Sequence, residues 1–297
     1  MVSVEEQSKR RQIFEKNYRF IVDHNRDADN GLHTYRLAVN QFADITHEEY
    51  LQRFALHSRP TFGKRMESKG KTVINSIANE LPISVDWRDK HVVTRVKDQL
   101  DVCNKSYLSQ LALKTGNLTE LSVQNVADCI YPGKLHDLNC FIGGYMHEAY
   151  EVIMKYGGVE ADITSPYKAY SYNCSYREEY RRAAITGYVN VTTGDERALQ
   201  EAVARVGPVA IGVDASQETF KFYKSGVYVE PKCKNGFKDL HHAMVVVGYG
   251  ADNGVDYWLM KNSWGLAYGD AGYIKMARNR DNQCGVATYA LYPTGVH

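Results

Sequence analysis

Two stretches near the C-terminus, HHAMVVVGYG (241–250) and YWLMKNSWG (257–265), decide how the chain is read. Each is an apolar run, rich in β-branched or aromatic residues and closed by Gly, Asn or Ser, which is the pattern of a buried strand. Working outward, GPVAIGVD (207–214) and GYIKMAR (272–278) repeat that pattern, so the second half is β-rich. The first half has a helical texture. From Glu5 to about Asn25, charged residues separate Ile13, Phe14, Tyr18, Phe20 and Ile21 at the spacing of an amphipathic helix. Thr46-x-x-Glu49 resembles a capping box opening a second helix into Tyr50, Leu51 and Phe54. Short helices are expected over 105–114 and 122–129, and 143–156 carries an apolar face through Met146, Ala149, Tyr150 and Ile153. Helices first and strands later predict an α+β protein of two lobes. Between Ser58 and Glu80 small, basic and polar residues dominate, which predicts an exposed linker dividing residues 1–57 from 81–297.

The 297 residues carry 36 Lys+Arg against 35 Asp+Glu, a net charge of +1, with 44% hydrophobic and 24% charged residues. This is the balance of an ordinary globular protein and gives no argument for a nucleic-acid partner. No stretch approaches 18 consecutive apolar residues, so no membrane span is expected, and MVSVEEQSKRRQIFEKN (1–17) lacks the apolar run of a secretory signal. The six cysteines (Cys103, Cys129, Cys140, Cys174, Cys233, Cys284) are even in number and spread widely. Spread in that way they suit three disulfides better than a zinc site, and neither a metal nor a cofactor is expected.

Four local patterns converge on one resemblance. Glu6, Arg10, Phe14, Asn17, Ile21 and Asn25 form an interrupted series in the N-terminal helix, and Asn40-x-Phe42-x-Asp44 follows. Leu81-Pro82 and SVDWR (84–88) lead to VKDQ (96–99), and the two C-terminal stretches complete the set. Together they resemble a papain-family cysteine peptidase of the cathepsin L type in its pro-form, over nearly the whole chain. The resemblance implies a papain-like α+β fold, a helical lobe and a β-barrel-like lobe meeting at a cleft. An N-terminal inhibitory propeptide domain over 1–57 would run backwards through that cleft.

Peptide cleavage by a thiol needs a cysteine beside an imidazole, a group that holds the imidazole in the right tautomer, and donors aimed at the developing oxyanion. By resemblance His242 stands where the family keeps its base, Asn262 where it keeps the orienting amide, and Gln99 where it keeps the oxyanion donor. Trp264 would shield the His–Asn bond from water. Singly, His242 reads as a packed or surface histidine and Asn262 as a turn residue; their order within these flanks favours the catalytic reading. The His241-His242 doublet is not a metal motif, because neighbouring strand side chains point to opposite faces.

The nucleophile departs from the family. After Gln99 the chain reads Leu-Asp-Val-Cys103-Asn-Lys-Ser106-Tyr107 in place of a Gly-rich turn and C-G-S-C-W. Aligning Cys103 with the family's first, disulfide-forming cysteine puts Ser106 at the nucleophile position. The rival alignment makes Cys103 the nucleophile. By resemblance Cys129 pairs with Cys174, Cys233 with Cys284 and Cys103 with Cys140, which leaves no thiol for catalysis and favours Ser106. A serine hydroxyl is far less acidic than a thiol and forms no stable ion pair with imidazole, so the expected enzyme is inactive or strongly impaired. The helix after Ser106 also reaches Lys114 in eight steps, about half the family's length. A loss of roughly seven residues removes about two turns and rotates the helix face by only about 20°.

The resemblance also assigns binding residues. Gly143 and Gly144 would pair with an extended substrate as a β-strand does. Tyr145 and Met146 would wall the second specificity pocket, and Tyr289 stands where its floor belongs, making it shallow; the other reading has Tyr289 as ordinary core. Sequons occur at Asn104, Asn117, Asn173 and Asn190, and a glycan on Asn104 would obstruct the cleft. The expected partners are peptide or protein ligands in the cleft and the chain's own propeptide, on a monomer of the lysosomal or secreted class. Two alternatives stay open: an active endopeptidase using Cys103, and a propeptide-type inhibitor of related peptidases.

Overall fold

The computed structural model describes residues 3–55, 80–98, 113, 116–130, 145–168 and 173–297. The chain opens with α1 (Val4–Asp29), where the Ser3 side chain accepts from the Glu6 N–H at 3.1 Å and Glu5 and Glu6 face the positive helix end. Its inner face buries Asn17, Ile21 and His24. The strand β1 (Tyr35–Leu37) and the short α2 (His47–Tyr50) follow, with one π-helical turn over Leu51–Ala55. The expected capping box is present: Glu49 N–H donates to Thr46 Oγ1 at 3.0 Å, and Thr46 N–H to the Glu49 carboxylate at 2.8 Å. Arg10 joins the two helices, its fork meeting both Glu49 oxygens at 2.8 and 2.9 Å. The Glu49 carboxyl is held down to about 2, first by that bond to Arg10.

After Glu80 come β2 (Val85–Asp86), α3 (Val123–Ile130), α4 (Met146–Tyr156), β3 (Val159–Glu160), β4 (Arg181–Ala183) and β5 (Gly187–Asn190). Next are α5 (Glu196–Arg205), β6 (Val209–Val213), α6 (Glu218–Phe222), β7 (Tyr223–Tyr228), β8 (His242–Asp252), β9 (Val255–Lys261), β10 (Tyr273–Ala277) and β11 (Ala290–Thr294). The four expected strand runs become β6, β8, β9 and β10. Helix α4 buries Met146, Ala149, Tyr150 and Ile153 and ends at Gly157, whose φ of 75° suits glycine. The linker expected over 58–80, apart from Glu80, and the short helix over 105–114, apart from Leu113, lie outside the described residues.

Among the described residues the main sheet runs β1-β7-β10-β9-β8-β6-β11-β5, with β2 added beside β8. Strand β1 from the N-terminal segment pairs antiparallel with β7, Tyr35 opposite Gly226. Among the described residues two large apolar clusters form the core, with a small third one of Val245, Val247 and Leu259. One, between α3, α4, β5 and β11, is the core of the helical lobe; it holds Val126, Met146, Ala149, Ile153, Tyr188 and Leu291. The other gathers Leu199, Phe220, Tyr228, Trp258 and Trp264 from the sheet lobe with Ile21, Tyr35, Phe42 and Tyr50 from the N-terminal segment. That segment is therefore part of the core it covers. No helix among the described residues is long and apolar enough to cross a membrane.

Asn17 pins α1 to this arrangement, its buried amide donating to Ala43 O at 2.8 Å and Ile45 O at 3.0 Å. Asn17→Ala leaves two carbonyls without that donor, and a loss of about 2–4 kcal/mol is expected. Earlier proteolytic clipping within residues 3–50 and a lower Tm in the full chain are the readouts; an unchanged Tm contradicts this role.

Candidate active site

Strands β8 and β9 pair antiparallel, with Val245 opposite Lys261. This brings His242, first in β8, beside Asn262, just past the end of β9. His242 Nε2 lies 2.8 Å from Asn262 Oδ1. The Ser263 N–H donates to that same Oδ1 at 2.8 Å, which marks the atom as the amide oxygen. His242 Nε2 must then carry the proton, and Nδ1 is left as the basic nitrogen. Asn262 N–H itself donates to Gly272 O at 2.9 Å, holding the residue at the sheet end. The amide thus fixes the tautomer of His242.

Trp264 lies over the imidazole with ring centroids 4.5 Å apart. Its own surroundings are aromatic: Phe220, Tyr268, Phe42 and Tyr50 meet it edge-on at 5.6, 5.0, 5.2 and 6.0 Å. Phe42 and Tyr50 come from the N-terminal segment. Gln41 Nε2 donates to Trp264 O at 2.7 Å, Asn40 Nδ2 to Lys221 O at 2.8 Å, and Tyr50 Oη to Ala215 O at 2.7 Å. The segment seals the His–Asn–Trp group with apolar rings and polar bonds together. His242 is only 4% exposed. Burial pushes its pKa down to about 4, against a smaller upward pull from the Asn262 bond. The imidazole is neutral in this closed form.

Residues that sequence reasoning passed over complete the frame. Lys261 Nζ donates to Thr94 O and Thr94 Oγ1, both at 2.8 Å, and burial lowers it to about 8. It ties the strand bearing Asn262 to the segment leading toward Gln99, as does the bond from Gly265 N–H to Lys97 O. Its only signal in the sequence was its place in the KNSW run. His241 points away from His242, toward the buried Asp214, with Nδ1 3.5 Å from the carboxylate. Burial opposes the Asp214 charge, but His241 and the N–H groups of Ser216 and Lys234 outweigh it and leave the carboxyl below its ordinary range. Among the described residues no group of three or more His, Cys, Asp or Glu could hold a metal.

The remaining sites divide by location. Cys129–Cys174 and Cys233–Cys284 are disulfides, with Cα atoms 4.5 and 4.7 Å apart. Met146 is buried in the helical-lobe core, Tyr145 precedes α4, and Tyr289 packs beside them against Phe237. Asn117 and Asn173 are exposed, and Asn190 is half-buried in β5. Gln99, Cys103, Asn104, Ser106, Cys140, Gly143 and Gly144 lie outside the described residues.

A family model for papain family cysteine proteases matches residues 81–294, and one for the cathepsin propeptide inhibitor domain (I29) matches residues 2–50. Mouse cathepsin S is 45% identical across 97% of this chain and 84% of its own length. A cathepsin L-like peptidase of Aedes aegypti is 43% identical, covering 96% of this chain and 86% of its own. Among solved structures, digestive procathepsin L 3 from the larval midgut of Tenebrio molitor superposes with a TM-score of 0.84 at 36% identity, over 99% of this chain and 94% of that one.

In an NMR titration of the intact chain, His242 is expected to show a midpoint near 4. Because the closed form favours the neutral ring, closure is strongest above the ordinary histidine pKa. It weakens as pH falls from about 6.5 toward the depressed value, by at most about 3 kcal/mol. Tyr50→Ala, which thins the cover over Trp264, raises the midpoint; an unmoved midpoint contradicts the role given to that cover.

Proposed function

Since the chain belongs to the papain family of cysteine proteases, as a cathepsin L/S-like peptidase in its pro-form, we propose that it keeps the family's cleft and base but lacks the nucleophilic thiol. In this reading Ser106 stands at the nucleophile position, and the processed protein binds peptides in the cleft with little or no cleavage. The observation that carries it is the cysteine pairing. Cys129–Cys174 and Cys233–Cys284 are joined as the family framework pairs them, and the proposal carries that framework on to Cys103 with Cys140.

The chemistry follows from the imidazole. His242 Nδ1 can take a proton, and Asn262 stabilises the ring as it does so. A thiol, with an ordinary pKa near 8.5, gives up its proton to such a base before attack. A serine hydroxyl must lose it during attack, and that usually requires a buried carboxylate behind the imidazole. Here an amide, Asn262, stands behind the ring, and an amide oxygen carries no full charge to balance imidazolium. Gln99 is the proposed oxyanion donor; Gly143, Gly144 and the pocket of Tyr145, Met146 and Tyr289 are the proposed peptide contacts. We assign residues 1–57 to an inhibitory propeptide, 58–80 to a linker where processing occurs, and 81–297 to the peptidase domain of a lysosomal or secreted monomer.

A fluorogenic peptide and a thiol-reactive affinity label, applied to the processed protein, test this. No turnover and no label are expected in the natural sequence, with Ser106→Cys acquiring the label. Turnover, or labelling of Cys103, would sink the proposal and favour an active endopeptidase using Cys103.

A further inference from the structure

Asn262 Nδ2 and Tyr268 Oη are buried beside the base, and among the described residues neither has a partner in hydrogen-bonding geometry. One is a donor without an acceptor, the other a hydroxyl able to accept. Asn262 Oδ1 is already taken up by His242 and the Ser263 N–H, so the nitrogen side of the amide faces away from the imidazole. It faces the tyrosine. Burial, the largest influence on the Tyr268 hydroxyl, holds it well above its ordinary pKa, with Tyr50, Tyr228 and Tyr223 raising it further, while Asn262 pulls it down as a hydrogen-bonding neighbour. The two groups stand side by side and stop short of a full bond in this closed form.

The fold fixes Tyr268 against that amide. The Gly272 N–H donates to Tyr268 O at 2.8 Å and the Asn262 N–H to Gly272 O at 2.9 Å, so the turn after Tyr268 is tied to the end of β9. The Gly269 N–H donates to Tyr223 O at 3.2 Å and ties the same turn to β7. Gly269 has a φ of 58°, and a Cβ built there would strike Tyr273 O, so this turn requires glycine. The Tyr268 ring stands edge-on to Trp264 at 5.0 Å and tilted against Phe220 at 5.9 Å and Tyr223 at 6.3 Å. Phenylalanine would serve that packing equally well. A hydroxyl carried into so dry a place costs free energy unless another group bonds it.

We propose that Tyr268 is a positioning residue for the base: its hydroxyl accepts from Asn262 Nδ2 and draws tight as His242 takes up a proton. An amide oxygen carries no full charge, but it becomes a better acceptor when the same amide donates through its nitrogen. A protonated His242 pulls harder on Oδ1, which makes the Nδ2–H a stronger donor and closes the gap to Oη. Tyr268 acts on the imidazole only through Asn262. The inference goes beyond the proposed function, since it concerns the base and its amide and holds whether Ser106 or Cys103 is the nucleophile.

Tyr268→Phe keeps the ring and removes the acceptor. In an NMR titration of the intact chain, the His242 midpoint of this variant is expected to fall about 0.5 below that of the natural sequence, because the imidazolium loses support. Loosened packing alone has the opposite sign: water reaching the imidazole moves the midpoint up toward the ordinary histidine value. A midpoint that rises or stays in place overturns the positioning role. The second measurement needs no variant and stands even where Tyr268→Phe fails to fold. In the natural sequence the Asn262 Nδ2 protons are expected to show a nuclear Overhauser contact with the ring protons flanking the Tyr268 hydroxyl, and the lack of that contact overturns the proposal.

Discussion

The bond from His242 Nε2 to Asn262 Oδ1, 2.8 Å long and under the Trp264 ring, is the constraint that the rest of the molecule serves. A buried imidazole–amide pair holds one geometry only where water is excluded and each polar atom has a defined role. The sheet supplies the alignment, because β8 and β9 bring residues twenty positions apart into contact at their ends. Trp264 supplies the dryness. Phe220 and Tyr268 hold it from below, and Phe42 and Tyr50 close it from above. The N-terminal segment is at once a cover over this group and a structural part of the core.

This double role explains why that segment is secured by so many kinds of contact. Strand pairing of β1 with β7 gives register, the amides of Asn17, Asn40 and Gln41 bond backbone carbonyls, and Arg10 clamps Glu49. Together they hold Phe42 and Tyr50 against Trp264. Burial of His242 and Lys221 adds an opposing tendency, since both are held below their ordinary pKa values chiefly by desolvation. For His242 that opposition acts only as pH falls below its ordinary pKa, where the uncovered ring gains a proton that the covered ring refuses.

Much of this was legible in the sequence because period and punctuation carry it. The strand runs bounded by Gly and Asn, the Thr46–Glu49 box and the apolar face of α4 rest on local rules, and they appear as read. The flanks of His242 and Asn262 singled both out, and the two side chains meet; two of the disulfides were legible through resemblance. What stayed hidden depends on residues distant in sequence meeting in space. Tyr50 reaching Ala215, Lys261 reaching Thr94 and Tyr289 reaching His147 leave no periodic trace. Lys261, moreover, is a buried lysine, a rarity that composition cannot reveal.

The proposed hydroxyl at the nucleophile position, Ser106, would change what such a scaffold can do. His242, Asn262 and Trp264 are assembled at the sheet end, and the cysteine framework is where the two alignments part. Peptide mapping of the folded chain without reduction therefore tests the central claim most directly. A Cys103–Cys140 linked peptide, with no alkylatable thiol in the chain, is the predicted result. A free, alkylatable Cys103 beside an unpaired Cys140 would contradict it.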